Sequence, residues 1–296
     1  MAVVERVTRT VEGAGATLTY DVHGDPAEAG ADNPALLLVG SPMEASGFTT
    51  LASHFADRVV VTYDPRGTGR SPRTDGAEET TPQEHADDLR RVIEDLGAGP
   101  VELFGSSGGA VNGLALVAVR PDLVRTFVAH EPPVPAVLPD GPHALAACED
   151  VHRTYLRSGM GPAMAKFIAV TGRTGPFPEN WADEPAPDPA AFGLPTEDDG
   201  RRDDPLLGQN MRACTGYRPD FEALAAAARS TRIVLAVGKE SEGQLCARAA
   251  AATAARLGLE PVVFPSHHAD FLGGEFGQQG EPEAFAATLR EVLAAG

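Results

Sequence analysis

The pentapeptide Gly105-Ser106-Ser107-Gly108-Gly109 is where residue types and spacing point most directly to chemistry in this chain. A G-x-S-x-G that closes a strand and opens a helix makes an abrupt turn. Small neighbours are needed there, because the serine sits in a strained conformation and its flanking positions crowd each other. Ser107 is therefore the candidate nucleophile, with the following helix N-terminus offering its positive dipole end. The plain alternative is a glycine-rich strand-to-helix turn with no chemistry. A serine hydroxyl is a poor nucleophile at neutral pH and needs an adjacent base, most often histidine. The pair His267-His268, far downstream, offers one. A metal reading with His267, His268 and Asp270 as ligands is poor, since adjacent histidines rarely converge on one ion and no matching second cluster is visible; no metal is expected.

The elements that must hold these residues follow from the hydrophobic pattern. Residues Arg6 to Gly13 and Ala16 to Gly24 are Thr- and Val-rich runs around Gly13-Ala14-Gly15, which predicts an opening hairpin. Continuous apolar runs at Ala35 to Val39, Val59 to Tyr63 and Val101 to Phe104 suit strands of a parallel sheet covered on both faces. Thr126 to Ala129, Ile233 to Val237 and Pro261 to Phe264 read as further strands. Between them, Thr81 caps a helix with Pro82 at its first position and Glu84 placed for a capping box; Gly97 ends it. Gly108 to Val119 is a buried small-residue helix, and a closing amphipathic helix carries Phe285, Leu289, Val292 and Leu293 on one face. Strands alternating with helices predict an α/β, doubly wound, mostly parallel sheet, whose ligand sites lie at the carboxyl ends of the strands.

The alternation stops between Glu131 and Ile233. Helical stretches near His143 to Arg157, Pro162 to Val170, Leu206 to Cys214 and Phe221 to Arg229, with a Pro/Asp/Glu/Ala-rich loop from Phe177 to Pro205, predict an inserted helical cap. The expected division is a core domain from 1–131 and 230–296 with a cap or lid at 132–229. Cap residues such as Met160, Met164, Phe167, Trp181, Phe192 and Tyr217 are candidates to line a pocket, although apolar side chains mostly serve packing.

Composition narrows the function classes. The chain has 296 residues with 43% hydrophobic and 22% charged, a globular balance, and no apolar stretch long enough to span a bilayer. Its net charge of −18 would repel a phosphate backbone, so nucleic acid is an unexpected partner. Cys148, Cys214 and Cys246 are odd in number and lack zinc spacing, so no disulfide framework is implied and a reducing, cytoplasmic setting is expected. Met1 to Arg6 has an acid where an export signal would be basic, and no lipidation motif appears. No dinucleotide fingerprint or other cofactor motif is present, and no cofactor is expected. The expected partner is a small-molecule substrate, without nucleic acid or membrane; a homo-oligomer is left open.

With these residues in place, the chain resembles the α/β-hydrolase fold family, in its serine-nucleophile branch with an inserted cap. Beyond the G-x-S-x-G, the segment Asp64-Pro65-Arg66-Gly67-Thr68-Gly69-Arg70-Ser71 matches a D-x-R-G-x-G-x-S that is usually structural in the family. His267-His268-Ala269-Asp270-Phe271 stands where the family carries its catalytic histidine, and register with Phe271 gives that role to His268. The resemblance implies a carboxylate between Ser107 and His268. The common place follows the strand at Ile233, where the expected aspartate is Ser241, flanked by Glu240 and Glu242. A family variant uses a glutamate after the sixth core strand, where Glu131 stands, and Glu131 is favoured with Glu240 or Glu242 as alternatives. An anchor for the cap hinge is the bland reading of Glu131. The resemblance also implies an oxyanion hole from the backbone N–H groups of Gly108 and Ser41. Ser41 lies in Val39-Gly40-Ser41-Pro42, where the family usually has H-G-x-P, and the missing histidine is a departure.

The implied activity is a serine hydrolase acting on a small carboxylic ester, lactone or thioester through an acyl-enzyme. Serine at the elbow argues against the dehalogenases and epoxide hydrolases of the family, which use a carboxylate. The alternatives are a non-hydrolytic lyase or cyclase, a carbon–carbon bond hydrolase, or a catalytically silent ligand-binding member.

Overall fold

The computed structural model describes residues 6–265 and 267–295; the stretch Met1 to Glu5, part of the segment inspected for an export signal, lies outside them. Arg6–Gly13 (β1) and Ala16–His23 (β2) form the expected hairpin. Leu36–Val39 (β3), Val60–Tyr63 (β4), Val101–Ser106 (β5), Val124–His130 (β6), Arg232–Gly238 (β7) and Val262–Phe264 (β8) complete one eight-stranded sheet. Its order is β1-β2-β4-β3-β5-β6-β7-β8. The pairings β1·β2 and β2·β4 are antiparallel, and every later one is parallel. Strand order reverses at β3 and β5, so the chain segments leaving these two neighbours open a crevice at their carboxyl ends.

The unbroken apolar runs are explained by two covered faces. Along β3, Leu37 and Val39 pack with Val61, Leu103 and Ala129 on one side, while Leu36 and Leu38 pack with Val60, Phe104 and Val128 on the other. The second face is closed by Thr49–Ser53 (α1) and by Phe285, Leu289, Val292 and Leu293 of the C-terminal helix. The first is covered by Pro82–Leu96 (α2) and Gly108–Val119 (α3). Thr81 caps α2 by accepting the Glu84 N–H at 3.2 Å, and Gly97 ends it in the left-handed region. The reciprocal half of the capping box is not formed among the described residues. The Glu84 carboxylate instead accepts the Thr81 hydroxyl at 3.0 Å on one oxygen and Arg66 at 3.1 Å on the other.

Between β6 and β7 the chain is helical, with Gly141–Ser158 (α4), Met160–Gly172 (α5), Met211–Gly216 (α6) and Phe221–Ala227 (α7). Leu206–Asn210, expected to be ordinary α-helix continuous with α6, is a single π turn. Residues 177–205 hold only two short 3-10 turns, Trp181–Asp183 and Pro189–Phe192. After β7 comes Leu245–Arg256 (α8), a helix not read from the sequence. Its alanine-rich composition gives no hydrophobic periodicity, although alanine is the strongest helix former. Pro282–Ala294 (α9) closes the fold. Among the described residues no helix is long and apolar enough to cross a membrane.

The segment from Asp64 to Ser71 is a structural brace. Asp64 accepts from Ala45 N–H at 2.9 Å and from Arg70 Nε at 2.7 Å, which pins the loop after β3. Arg66 grips buried Asp88 of α2 through two bonds of 2.6 and 2.7 Å, and Ser71 Oγ accepts the Thr19 N–H at 2.8 Å.

Candidate active site

Ser107 lies between β5 and α3 with φ 55° and ψ −122°. A non-glycine residue in such a conformation costs roughly 1–3 kcal/mol and persists only where its surroundings hold it. Here its N–H donates to His130 O at 2.9 Å, tying the turn to β6, and its carbonyl accepts from Ala110 and Val111 to start the helix. The helix can leave this close to the sheet because residue 109 has no side chain. A Cβ there would stand 2.1 Å from Val39 O.

Glu131 follows directly on β6, also at positive φ (49°) and fully buried. Its N–H donates to Ala236 O at 3.0 Å, and its Oε1 accepts the Gly238 N–H at 2.8 Å. The carboxylate is thereby fixed against β7. Its Oε2 lies 2.5 Å from His268 Nδ1. Burial alone would raise the Glu131 pKa. The His268 hydrogen bond and charge, with help from His130 and the Gly238 N–H, outweigh it and bring the group down to about 2. Glu131 is thus ionised near neutrality and can only accept, so the contact is a donation from His268 Nδ1, which turns Nε2 to the other side of the ring.

Of the three acids considered from the sequence, the structure brings only Glu131 to His268. Glu240 and Glu242 are exposed in the turn after β7, and Ser241 between them is buried. His267 lines the same cavity as His268, and its Nδ1 accepts the Ala269 N–H at 3.2 Å. Asp270 is buried and accepts the Glu281 N–H at 2.8 Å, at the start of α9.

Ser107, His268, Ser41 and Gly108 line one cavity of about 480 Å³, within the usual range for small-molecule sites. No hydrogen bond joins Ser107 to His268 among the described residues, and such contacts commonly tighten only around a bound substrate. Ser41 and Gly108 touch, since a Cβ on Gly108 would lie 2.4 Å from Ser41 O. As the first residue of α3, Gly108 has an N–H without an intrahelical acceptor.

The helical segment between β6 and β7 supplies part of the cavity wall. Of the six apolar residues considered for this role, Phe167 lines it. Met164 and Trp181 pack against the core, Phe192 is exposed, Met160 lines a different pocket, and Tyr217 is buried in the core at the edge of another one. All three cysteines line the cavity, which their spacing did not suggest. Burial pushes the thiols of Cys148 and Cys214 up to about 12, so they are neutral wall. The lining residues include no Asp, Glu, Lys or Arg among the described residues.

His130 was not singled out from the sequence. Its ring stacks on His268 at 5.8 Å and 22°, and its Nδ1 lies 3.1 Å from Ser106 Oγ. Phe104, Phe264, Phe271 and Phe285 surround it. Burial pushes its pKa down to about 4, against the opposing pull of Glu131 and with the help of His268. Nothing in a strand-end histidine reveals this role; its partners are scattered over β5, β8, α9 and the segment after β8.

A family model described as alpha/beta hydrolase fold matches residues 33–176. The chain is 37% identical over 125 residues to a hydrolase of Bacillus subtilis named YraK, covering 42% of this chain and 44% of that protein. It is 33% identical over 116 residues to a protein of Azorhizobium caulinodans that carries the name carbamate hydrolase RutD, covering 39% of this chain and 41% of that one. The matched segments thus span less than half the length of these relatives. Among solved structures, a thermophilic esterase from Thermogutta terrifontis superposes with a TM-score of 0.63 at 20% identity, covering 98% of each chain.

Proposed function

Because this chain belongs to the α/β-hydrolase fold family, we propose that it is a serine hydrolase acting on an uncharged small-molecule carboxylic ester, lactone or thioester. The observation that carries the reading is the pairing of Glu131 with His268 at 2.5 Å beside a strained Ser107 in one cavity. Ser107 Oγ attacks the carbonyl carbon as His268 Nε2 takes its proton. The carbonyl electrons move to oxygen, where the N–H groups of Ser41 and Gly108 receive them. Glu131 holds the imidazole in its tautomer and steadies the imidazolium. The tetrahedral intermediate collapses, the leaving group departs with the proton from His268, and an acyl-Ser107 ester remains. Water, deprotonated by His268, then releases the acid.

The helical segment between β6 and β7 acts as a cap over the cavity. Its uncharged, largely apolar wall favours a neutral acyl group over one bearing a carboxylate or phosphate. Carbamates join the substrate panel through the name of the Azorhizobium relative.

Labelling with a small fluorophosphonate, followed by peptide mass spectrometry, tests the reading. The expected result is modification at Ser107, lost in Ser107→Ala and in His268→Ala, with Ser107→Ala folded and slowed at least ~10⁴-fold on the wild type's best ester. Full turnover by Ser107→Ala would overturn it. Tight retention of a small ligand without turnover or labelling would favour a binding protein instead.

A further inference from the structure

The serine that supplies the second oxyanion N–H also has a hydroxyl, and the structure gives that hydroxyl a dedicated partner. Asn210, the last residue of the π turn Leu206–Asn210, is buried, with 5% exposure, and borders the cavity. Its Nδ2 donates to Ser41 Oγ at 2.5 Å. Its Oδ1 accepts from Cys214 Sγ, one helical turn on, at 3.6 Å. The same Oδ1 would stand 3.0 Å from a Cβ on Gly108, so the amide sits directly against both residues of the oxyanion hole. The π turn accounts for this reach. It widens the helix where it meets the β3 loop, and such turns frequently occur at functional sites.

The hydrogen-bond inventory gives the consequence. An Asn amide nitrogen can only donate, so Ser41 Oγ is the acceptor in this contact and keeps its own proton for another bond. Among the described residues no group accepts that proton, while Ser41 lines the cavity beside Ser107 and Gly108. We propose that the Ser41 hydroxyl is a catalytic residue that gives the developing oxyanion a third hydrogen bond, and that Asn210 is the positioning residue that aims it. This rests on the serine-hydrolase reading. The hydroxyl keeps its proton throughout, so the covalent steps are unchanged. Its contribution is a donor already oriented when charge appears on the carbonyl oxygen, in a wall without Lys or Arg. The inserted segment thereby contributes to the chemistry as well as to the pocket, through a side chain it places on the core.

Steady-state kinetics with p-nitrophenyl butyrate and adduct formation with a small fluorophosphonate test this together. Ser41→Ala should lower kcat by ~10²- to 10³-fold with KM changed less than about threefold, the signature of a donor used only in the transition state. Ser41→Thr, which restores a hydroxyl, should recover most of that loss. Asn210→Leu should lower kcat at least about tenfold with little change in KM, and combining it with Ser41→Ala should add almost nothing, since both remove one bond. Asn210→Asp, whose carboxylate would draw the Ser41 proton to itself, should be as slow as Ser41→Ala. Thermal unfolding confirms that each variant is folded. A folded Ser41→Ala within about threefold of wild-type kcat overturns the proposal, as does a loss confined to KM or a strictly additive double variant. Absence of a Ser107 adduct in the wild type would overturn the hydrolase reading and this one together; a normal wild-type adduct with unchanged Ser41→Ala kinetics would overturn this one alone.

Discussion

At the scale of single residues, the site is organised by one buried glutamate, held by two hydrogen bonds to its carboxylate and one from its backbone N–H. Glu131 takes the Gly238 N–H on one oxygen and His268 Nδ1 on the other, while its own N–H goes to Ala236 O. Replacing it with glutamine keeps the shape but lets an amide face His268, which frees the imidazole to adopt the wrong tautomer. We expect Glu131→Gln to lower kcat ~10⁴-fold, while Glu240→Gln and Glu242→Gln stay within about twofold in the same assay. The neighbouring imidazole gives a pH prediction. Burial depresses the His130 pKa from 6.5 to about 4, so the unfolded chain takes up that proton first as pH falls. Its contribution to stability is whole above pH 6.5 and lost between 6.5 and 4. Glu131, lowered from 4.5 to about 2, contributes above 4.5 and loses its contribution between 4.5 and 2. Urea unfolding across this range should show that His130→Phe, in its aromatic surroundings, flattens the upper part of the fall only. An unchanged slope between pH 6.5 and 4 would contradict the assignment.

At the scale of elements, the site depends on how closely α3 can leave the sheet. The strained Ser107 is sustained by β6 on one side and by the contact of residue 109 with β3 on the other. A methyl group at 109 would meet the Val39 carbonyl at 2.1 Å, a backbone atom that cannot step aside. Gly109→Ala should therefore destabilise the protein by more than ~2 kcal/mol in urea unfolding, beyond the usual effect of a surface Gly→Ala change, and abolish fluorophosphonate labelling. Wild-type stability with wild-type labelling would show that the turn is slacker than these distances imply. The other elements serve the same end. The Asp64–Arg70 brace holds the loop that carries Ser41, and the register of β6 with β7 sets Ala236 and Gly238 where Glu131 needs them.

For the whole molecule, 42 acidic against 24 basic residues leave a charge of −18 on a chain of 296 residues. Like charges in such excess repel one another in the folded state. Raising NaCl from roughly 10 mM to roughly 150 mM, which shortens the screening length to about 8 Å, should raise Tm. A Tm that falls instead would mean that attractive surface pairs such as Arg120–Asp122 dominate the balance. Across this molecule, the fold and the tight strand-to-helix turn at Ser107 were legible from the sequence because they rest on local rules. Apolar runs without alternation mark covered strands, and only small residues permit the turn around Ser107. The alanine-rich α8 escaped because it has no periodicity, and the π turn before Asn210 escaped because its residues read equally well as α-helix. Along the chain, Glu131 was favoured over Glu240 and Glu242 only through the resemblance to a family variant; which of them meets His268 is a matter of space. It depends on β6 and β7 being neighbours, which puts one acid under His268 and leaves the other two in solvent. The surroundings of His130, Asn210 and the three cysteines were likewise set only by tertiary structure, since hydrogen bonds and stacking act over a few ångströms of space and these residues meet their partners only after the sheet and the helices between β6 and β7 have packed.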